Sequence, residues 1–351
     1  MDLRAQMMLP LRVLFLALVA LPLLARPVLA HEKWFVDAAG FPLQLDQAAW
    51  NRALLALALA GGALAMALLI EALWRRLHPG TPVTPPRAKV LENQRRLFAW
   101  IPLILAVHIA VSLIVSGVQR QLFAPNLMLP RTFFGGITAL LEIAVALSFF
   151  YGALTRVAAA VLMLLFPVSL LAFGIVDTFE HLELLGIAAF LLIFGRGPFS
   201  LDAIFGTPPR PPRAWLPRAV PLLRVLTGLT IAWLGFSEKL WNIPLGVAFL
   251  ERHPFNFMPA LGFVGFSNAD FVVAAGLVEV VTGIVIASGL VTRPVIALAW
   301  VPYNLTLPFL GWVELVGHLP TYGIIGVLLL WGSGRDVRPY LREVDDTIRG
   351  A

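Results

Sequence analysis

The stretch FVVAAGLVEVVTGIVIASGLVTRPVIALAWVPYNLTLPFLGWVELVGHLPTYGIIGVLLLW, residues 271–331, decides how the chain is organised, because its polar landmarks have already appeared once. Glu279 repeats Glu142, Gly289 repeats Gly152, and Thr292 and Arg293 repeat Thr155 and Arg156. His318 and Leu319 repeat His181 and Leu182, Gly323 repeats Gly186, and Gly332 repeats Gly195, each at a spacing of 137 residues. Hydrophobic coincidences at one spacing mean little in so apolar a chain, but Glu, Gly, Thr-Arg and His in register do not arise that way. The pattern reads as an internal duplication.

Composition sets the environment. Hydrophobic residues make up 59% of the chain and charged residues 13%, with a mean hydropathy of +0.86. Soluble domains carry about a quarter charged residues, so this is a polytopic membrane protein. The formal net charge of +6 is dispersed among segments between apolar runs, where it reports orientation in a bilayer rather than nucleic-acid binding. There is no cysteine, which excludes a dithiol relay, a thiolate-held iron–sulfur cluster, a Cys-based zinc site and covalent c-type haem.

Outward from the repeat, the chain divides as follows. Residues 1–30 read as a secretory signal, with Arg4 and Arg12 around its start, an apolar run from Val13 to Leu24 and small residues ending at Ala30. Cleavage there would leave His31 first; the alternative is an uncleaved anchor helix. A short outer segment, 31–47, leads to an extra transmembrane helix at 48–74 and a cytoplasmic loop at 75–96. The first repeat covers 97–196, a Pro/Arg-rich linker 197–218, the second repeat 219–333 and a cytoplasmic tail 334–351. Apolar runs near the length a spanning helix needs fall at about 48–74, 97–118, 132–154, 157–175, 182–196, 219–238, 271–291, 294–312 and 318–333.

The expected fold is therefore all-α: two tandem four-helix bundles, plus the unpaired helix after the signal. Four spans per repeat bring each half in and out on one side, so the halves should be related by a pseudo-twofold axis along the membrane normal. Arg and Lys concentrate in 75–96, 197–218 and the tail, which places those segments in the cytoplasm and the mature N-terminus outside a plasma (inner) membrane.

The second repeat resembles the DoxX family of small four-helix membrane proteins. The residues that carry the resemblance are Gly235-Phe-Ser-Glu-Lys239-Leu240, Val278-Glu279-Val-Val-Thr-Gly283 and Gly289-Leu-Val-Thr292-Arg293. It covers about 219–333 and reaches weakly into 97–196, where Gln121 stands in place of Lys239 and Ala146 in place of Gly283. The resemblance implies a helical fold and, for some relatives, a membrane subunit of a quinone-linked oxidoreductase, including thiosulfate to quinone transfer; the family is functionally mixed.

Ionisable residues inside apolar runs are the candidate site. Glu279 and Glu142 fall well inside their helices, where a carboxylate either relays protons or binds a quinone, or else locks helices together. Lys239 is the expected counter-ion of Glu279. Asp177 with His181, and Glu314 with His318, are each four apart and would share a helical face in which the acid orients the imidazole; Glu180 adds an oxygen in the first half. His31 offers a chelating ring, and an amine if the signal is cleaved, with His253 of the outer loop a conceivable partner. No HxxH or HExxH spacing points to a metal, so no metal ligands are assigned. His108, Asn304 and Tyr303 are mid-span polar groups that could line a cofactor site or simply bond between helices. The outer loop 239–270, with Trp241, Phe249, Phe255, Phe257, Phe263 and Phe266, reads as an interfacial lid.

Three functions compete on these residues. The first is a membrane subunit of a quinone-linked oxidoreductase, respiratory or sulfur-compound-linked, with quinone beside Glu142 and Glu279 and a partner subunit completing it. The second is a proton-coupled transporter of a small solute or metal. The third is a non-catalytic scaffold. The bilayer is a partner in every case, and nucleic acid in none.

Overall fold

The computed structural model describes residues 31–77, 88–197, 200–205, 212–335, 337–338, 341–342 and 345–346. The expected signal at 1–30, residues 78–87 of the basic loop 75–96 and the Pro-Pro-Arg part of the linker lie outside the described residues. Within them are eleven α-helices: α1 Gln47–Leu77, α2 Ala88–Val118, α3 Phe133–Tyr151, α4 Thr155–Phe179, α5 Leu182–Phe194, α6 Leu201–Phe205, α7 Leu216–Leu234, α8 Ile243–Arg252, α9 Asn268–Ser288, α10 Thr292–Leu305 and α11 Leu307–Trp331. A π turn, Gly235–Leu240, extends α7. Among the described residues, seven helices are long and apolar enough to cross a membrane, and Leu182–Phe194 and Thr292–Val301 are shorter apolar helices. This is a multi-helix, all-α membrane protein.

Local chemistry sets the boundaries. Thr132 caps α3 by accepting from the Gly135 amide, and Ser267 with Asp270 forms a reciprocal capping box on α9. Gly152 and Gly289 stop α3 and α9 in the left-handed conformation, at φ 68° and 76°. The last two apolar runs differ from expectation. The break expected near 313–317 lies at Thr306, and the chain bends again at Gly311 (φ 65°) inside α11. Gly174, 137 residues earlier, bends α4 in the same manner at φ 83°. In consequence Glu314 and His318 both lie in α11, whereas α4 ends at Phe179, before His181.

The repeated landmarks do repeated work. Arg156 donates from Nε to the Leu192 carbonyl at 3.1 Å, and Arg293 to the Leu329 carbonyl at 2.9 Å. Within each set of four, consecutive helices pack on one another, and the first helix of each set packs against the last of the other: α2 on α11, and α7 on α5. Equivalent glycines seat these crossings. A Cβ on Gly186 would meet Leu223 and Leu226, and one on Gly323 would meet Leu105 and His108. Small residues at helix crossings allow the close backbone approach that drives association in lipid.

The same device brings α7 to α9. Gly228 lies against Gly283, and Gly235 against Gly276, each so close that an added Cβ would press on the opposite backbone. The extra helix α1 packs on α9 through an alanine seam of Ala49, Ala53, Ala56, Ala60 and Ala67, while Leu54, Leu57, Leu68 and Trp74 face outward.

Candidate functional site

The segment 31–36, part of the expected outer segment 31–47, packs into the protein. Glu32 is 2% exposed and Val36 3%. A 3-10 turn, Glu32–Trp34, inserts it between the helical sets, and α8 closes over it through Phe249, Leu245 and Leu250. The loop 239–270 thus contains an ordered helical cap.

Two lysines organise the acids beneath this cap. Lys239 Nζ stands 2.9 Å from Glu32 Oε2 and 3.1 Å from Glu279 Oε1, so the expected pair with Glu279 forms and gains a second carboxylate. Lys33 Nζ stands 2.5 Å from Asp177 Oδ1 and 2.6 Å from Glu180 Oε1. The Glu32 amide donates to Glu238 Oε2 at 2.9 Å, and the Ser237 hydroxyl to Glu180 Oε1 at 2.8 Å. Ser237, Glu238 and Lys239 all sit on the π turn and all are buried; such turns recur at functional sites.

Three imidazoles stand above Lys239. His31 is flanked by His181 and His318, with ring centres 6.2 Å and 6.0 Å away, and Trp34 stacks on His31 at 4.1 Å. Each Nδ1 faces a different carboxylate: His31 faces Glu238 at 3.7 Å, His181 faces Glu183 at 3.8 Å, and His318 faces Glu314 at 3.3 Å. The expected Asp177–His181 pairing is therefore replaced, because the helix ends between them and Lys33 takes Asp177. The Glu314–His318 pairing forms within α11. Two small cavities share His31, Ile231, Leu234 and Tyr303 as walls, with volumes of ≈ 20 and ≈ 30 Å³. Each holds about one or two waters.

Outside the spanning helices, burial sets the electrostatics. Burial, reinforced by His181, holds the His31 imidazole well below its ordinary value. Burial also raises Glu32, aided by Glu238 and opposed by Lys239. Glu180 is pushed up to about 8 by burial and by Glu238, against Lys33. For Lys33 burial acts downward, but Glu180, Glu238 and Asp177 together outweigh it and hold the ammonium above its ordinary value.

Other sequence candidates stand elsewhere. Glu142 is fully buried, and its Oε1 accepts from the Phe123 amide at 2.8 Å; Phe123 holds a positive φ of 70° to make that bond. Glu142 lines neither cavity, whereas Glu279 lines the smaller one, so the two glutamates do not share one. His108 Nδ1 and Asn304 Nδ2 bond to the backbone one turn back, at Ile104 and Trp300. Tyr303 does reach the site, edge-on to His318 at 4.8 Å. His253 packs on Phe35 and Phe249 in the cap.

No protein-family model, curated protein or solved structure matches this chain. The site must be read from its own chemistry. Among the described residues, no three His, Asp or Glu side chains already stand around a common point as metal ligands. What the arrangement does hold is more buried carboxyl groups than lysines: Glu32, Glu180, Glu238, Glu279 and Glu314 are buried against Lys33 and Lys239.

Sequence reasoning passed over Glu32, Lys33, Trp34, Glu183, Thr230 and Glu238. Glu183 is held by Thr230, whose hydroxyl donates to Glu183 Oε2 at 2.7 Å. For Glu238 a signal was available, since it adjoins Lys239 in the quoted GFSEKL motif. Nothing in the sequence shows that 31–34 turns inward.

Proposed function

We propose that this chain is a membrane transporter of a small cation, with its cation site entered from the outer face at the His31 end. The observation that carries this reading is the pairing of surplus buried carboxyl groups with cavities of ≈ 20 and ≈ 30 Å³. Burial favours the protonated form of the surplus carboxyls, and a cation entering the cavities can take the place of those protons. Neither of these two cavities has room for a quinone ring, since even benzene occupies a cavity of about 150 Å³. The quinone-linked reading rests on the DoxX resemblance alone, and the reciprocal packing of the two four-helix sets supports the duplicated DoxX-like plan without choosing a reaction. The distribution of Arg and Lys supports the orientation.

Glu279→Gln in the full-length protein tests the assignment. The expected result is lost accumulation of divalent cations by proteoliposomes, read with an entrapped indicator, at unchanged protein level. Lost quinone-linked electron transfer in membranes with intact cation uptake would establish the oxidoreductase reading instead, and a fall in protein level alone, with neither cation uptake nor quinone-linked transfer in the native protein, would leave the scaffold.

A further inference from the structure

Lysines and carboxyl groups pair unequally beneath the cap. Lys239 is engaged by Glu32 and Glu279, and Lys33 by Asp177 and Glu180. Glu238, fully buried, is left without a lysine. Among the described residues, the one basic group within 4 Å of it is His31, whose Nδ1 stands 3.7 Å away, and burial favours the neutral form of that imidazole. What lies beside Glu238 instead is another carboxyl. The Glu32 amide donates to Glu238 Oε2 at 2.9 Å, and the Glu32 carboxyl lies within hydrogen-bonding reach of the Glu238 carboxyl. Two buried carboxyl groups so close cannot both ionise, and one proton between them turns repulsion into a hydrogen bond. Glu238 Oε1 is buried without a partner, and Glu238 lines the ≈ 20 Å³ cavity together with Lys239, Glu279 and His318. The pair thus meets the cavity at an open acceptor.

From this pair a line of acids leads out. Ser237, next to Glu238 on the π turn, donates to Glu180 Oε1 at 2.8 Å, and Lys33 bridges Glu180 to Asp177 at 2.6 and 2.5 Å. The Glu238 carboxyl is close enough to act on Glu180 directly. Side-chain exposure rises along this line, from 0% at Glu238 and 1% at Glu180 to 37% at Asp177. Glu180, pushed up to about 8 by burial, can both accept and give up a proton near neutral pH. We propose that Glu32 and Glu238 share one proton and release it to the outer face by way of Glu180 and Asp177 when a cation enters the cavity, so that transport is an exchange of cation for proton. The proposal rests on the cation-transport reading and names what moves in return. In that step the O–H bond of the pair breaks, the proton passes to Glu180, then to Asp177 and outer water, and the carboxylate left behind faces the entering positive charge. The other groups facing the pair are His31 and Lys33 from the inserted segment, Lys239 from the π turn, Glu279 from α9 and Glu314 from α11. The proton leaves the acids rather than the lysines, since each ammonium is held by two carboxyl groups.

The experiment uses the full chain in proteoliposomes with an acidic interior and an entrapped pH-sensitive dye, with sodium, calcium(II) or manganese(II) added outside. The expected result is alkalinisation of the interior, a proton leaving for each ion that enters. Infrared spectroscopy of the purified chain in heavy water follows the carbonyl stretch of its protonated carboxyl groups. A component of that band should disappear in both Glu32→Gln and Glu238→Gln and persist in Glu142→Gln, and Glu180→Gln should slow its deuteration about 100-fold. Ion entry without a change of internal pH in the native protein would overturn the exchange and leave cation transport standing. Entry of none of the three ions would remove the transport reading and the exchange with it, and the infrared band would then support or refute the shared proton alone. A band unchanged by both substitutions would overturn the shared proton, and unchanged deuteration in Glu180→Gln would overturn the route.

Discussion

Glu32 and Lys239 meet at 2.9 Å although 207 positions separate them, and each is about 2% exposed. The pair ties the inserted segment to the end of α7, and because Lys239 also holds Glu279, one ammonium joins three separate stretches of chain. A buried ion of this kind matters most when its partner is removed, since the remaining charges then lie uncompensated in a poorly polarisable interior.

Lys239→Met should therefore be the most damaging single change at the site, costing about 3–5 kcal/mol by stranding two carboxylates. Glu32→Gln should cost less, because Lys239 keeps Glu279. Thermal unfolding of the detergent-solubilised proteins by tryptophan fluorescence orders the two variants, and equal melting of Lys239→Met and the native protein would contradict the arrangement.

Gly283 is the closest approach of α9 to α7, where even one added carbon would press on the Gly228 carbonyl. Gly283→Leu should push the helices apart and separate Lys239 from Glu279, with a loss of about 1–3 kcal/mol or more from overpacking. Ala146→Leu, at the matching place in the first set, should leave the Lys239 pair intact. Cross-linking of cysteines introduced on α7 and α9 reads the separation directly.

Gly317 faces the Trp34 ring at a distance that admits no side chain. Gly317→Val should displace Trp34, and with it His31, which stacks on Trp34 at 4.1 Å. Faster hydrogen exchange over 31–36, with α9 unchanged, is the expected signature.

Because the chain has no cysteine, single introduced cysteines report orientation without background. Val264 and Phe205 are both well exposed, at 82% and 73%. Val264→Cys should react with a membrane-impermeant maleimide on intact cells, and Phe205→Cys only after permeabilisation. The reverse pattern would invert the proposed topology.

His253 sits in the cap, where partial burial and the Arg252 charge hold its imidazole below the ordinary value. A base depressed by folding contributes stability that is present above the ordinary imidazole range and lost as pH falls through the depressed value. Mild acid should thus loosen α8 over residues 31–36, and His253→Phe should reduce that response without abolishing it, because His31 and Glu180 also titrate beneath the cap, as hydrogen exchange across 243–258 at two pH values would register.

Much of the fold was legible in advance, for identifiable reasons. The apolar runs located the helices because lipid demands a continuous apolar surface and internally satisfied backbone. Gly152 and Gly289 located the ends of α3 and α9 because a left-handed stop is a local device. The boundary between α10 and α11 was misplaced because Gly311 bends the chain without interrupting its hydropathy. The site was legible only in part. Glu279 and Lys239 could be paired from depth along their helices, while Asp177 and His181 could not be parted, since spacing does not reveal that the helix ends between them.

By itself the sequence determined that the chain lies in a bilayer, that its landmarks recur at 137 residues, and that Glu279, His181 and His318 are ionisable groups among apolar neighbours. Those properties depend on composition and on separations along the chain, which survive without coordinates. Only the tertiary structure decided that residues 31–34 enter the protein, that Glu32 shares Lys239 with Glu279, and that three imidazoles from distant segments face one another while Glu142 stands apart. A short polar segment can be satisfied by water or by a polar interior; which one it takes depends on the partners waiting there, and those are brought together by packing alone.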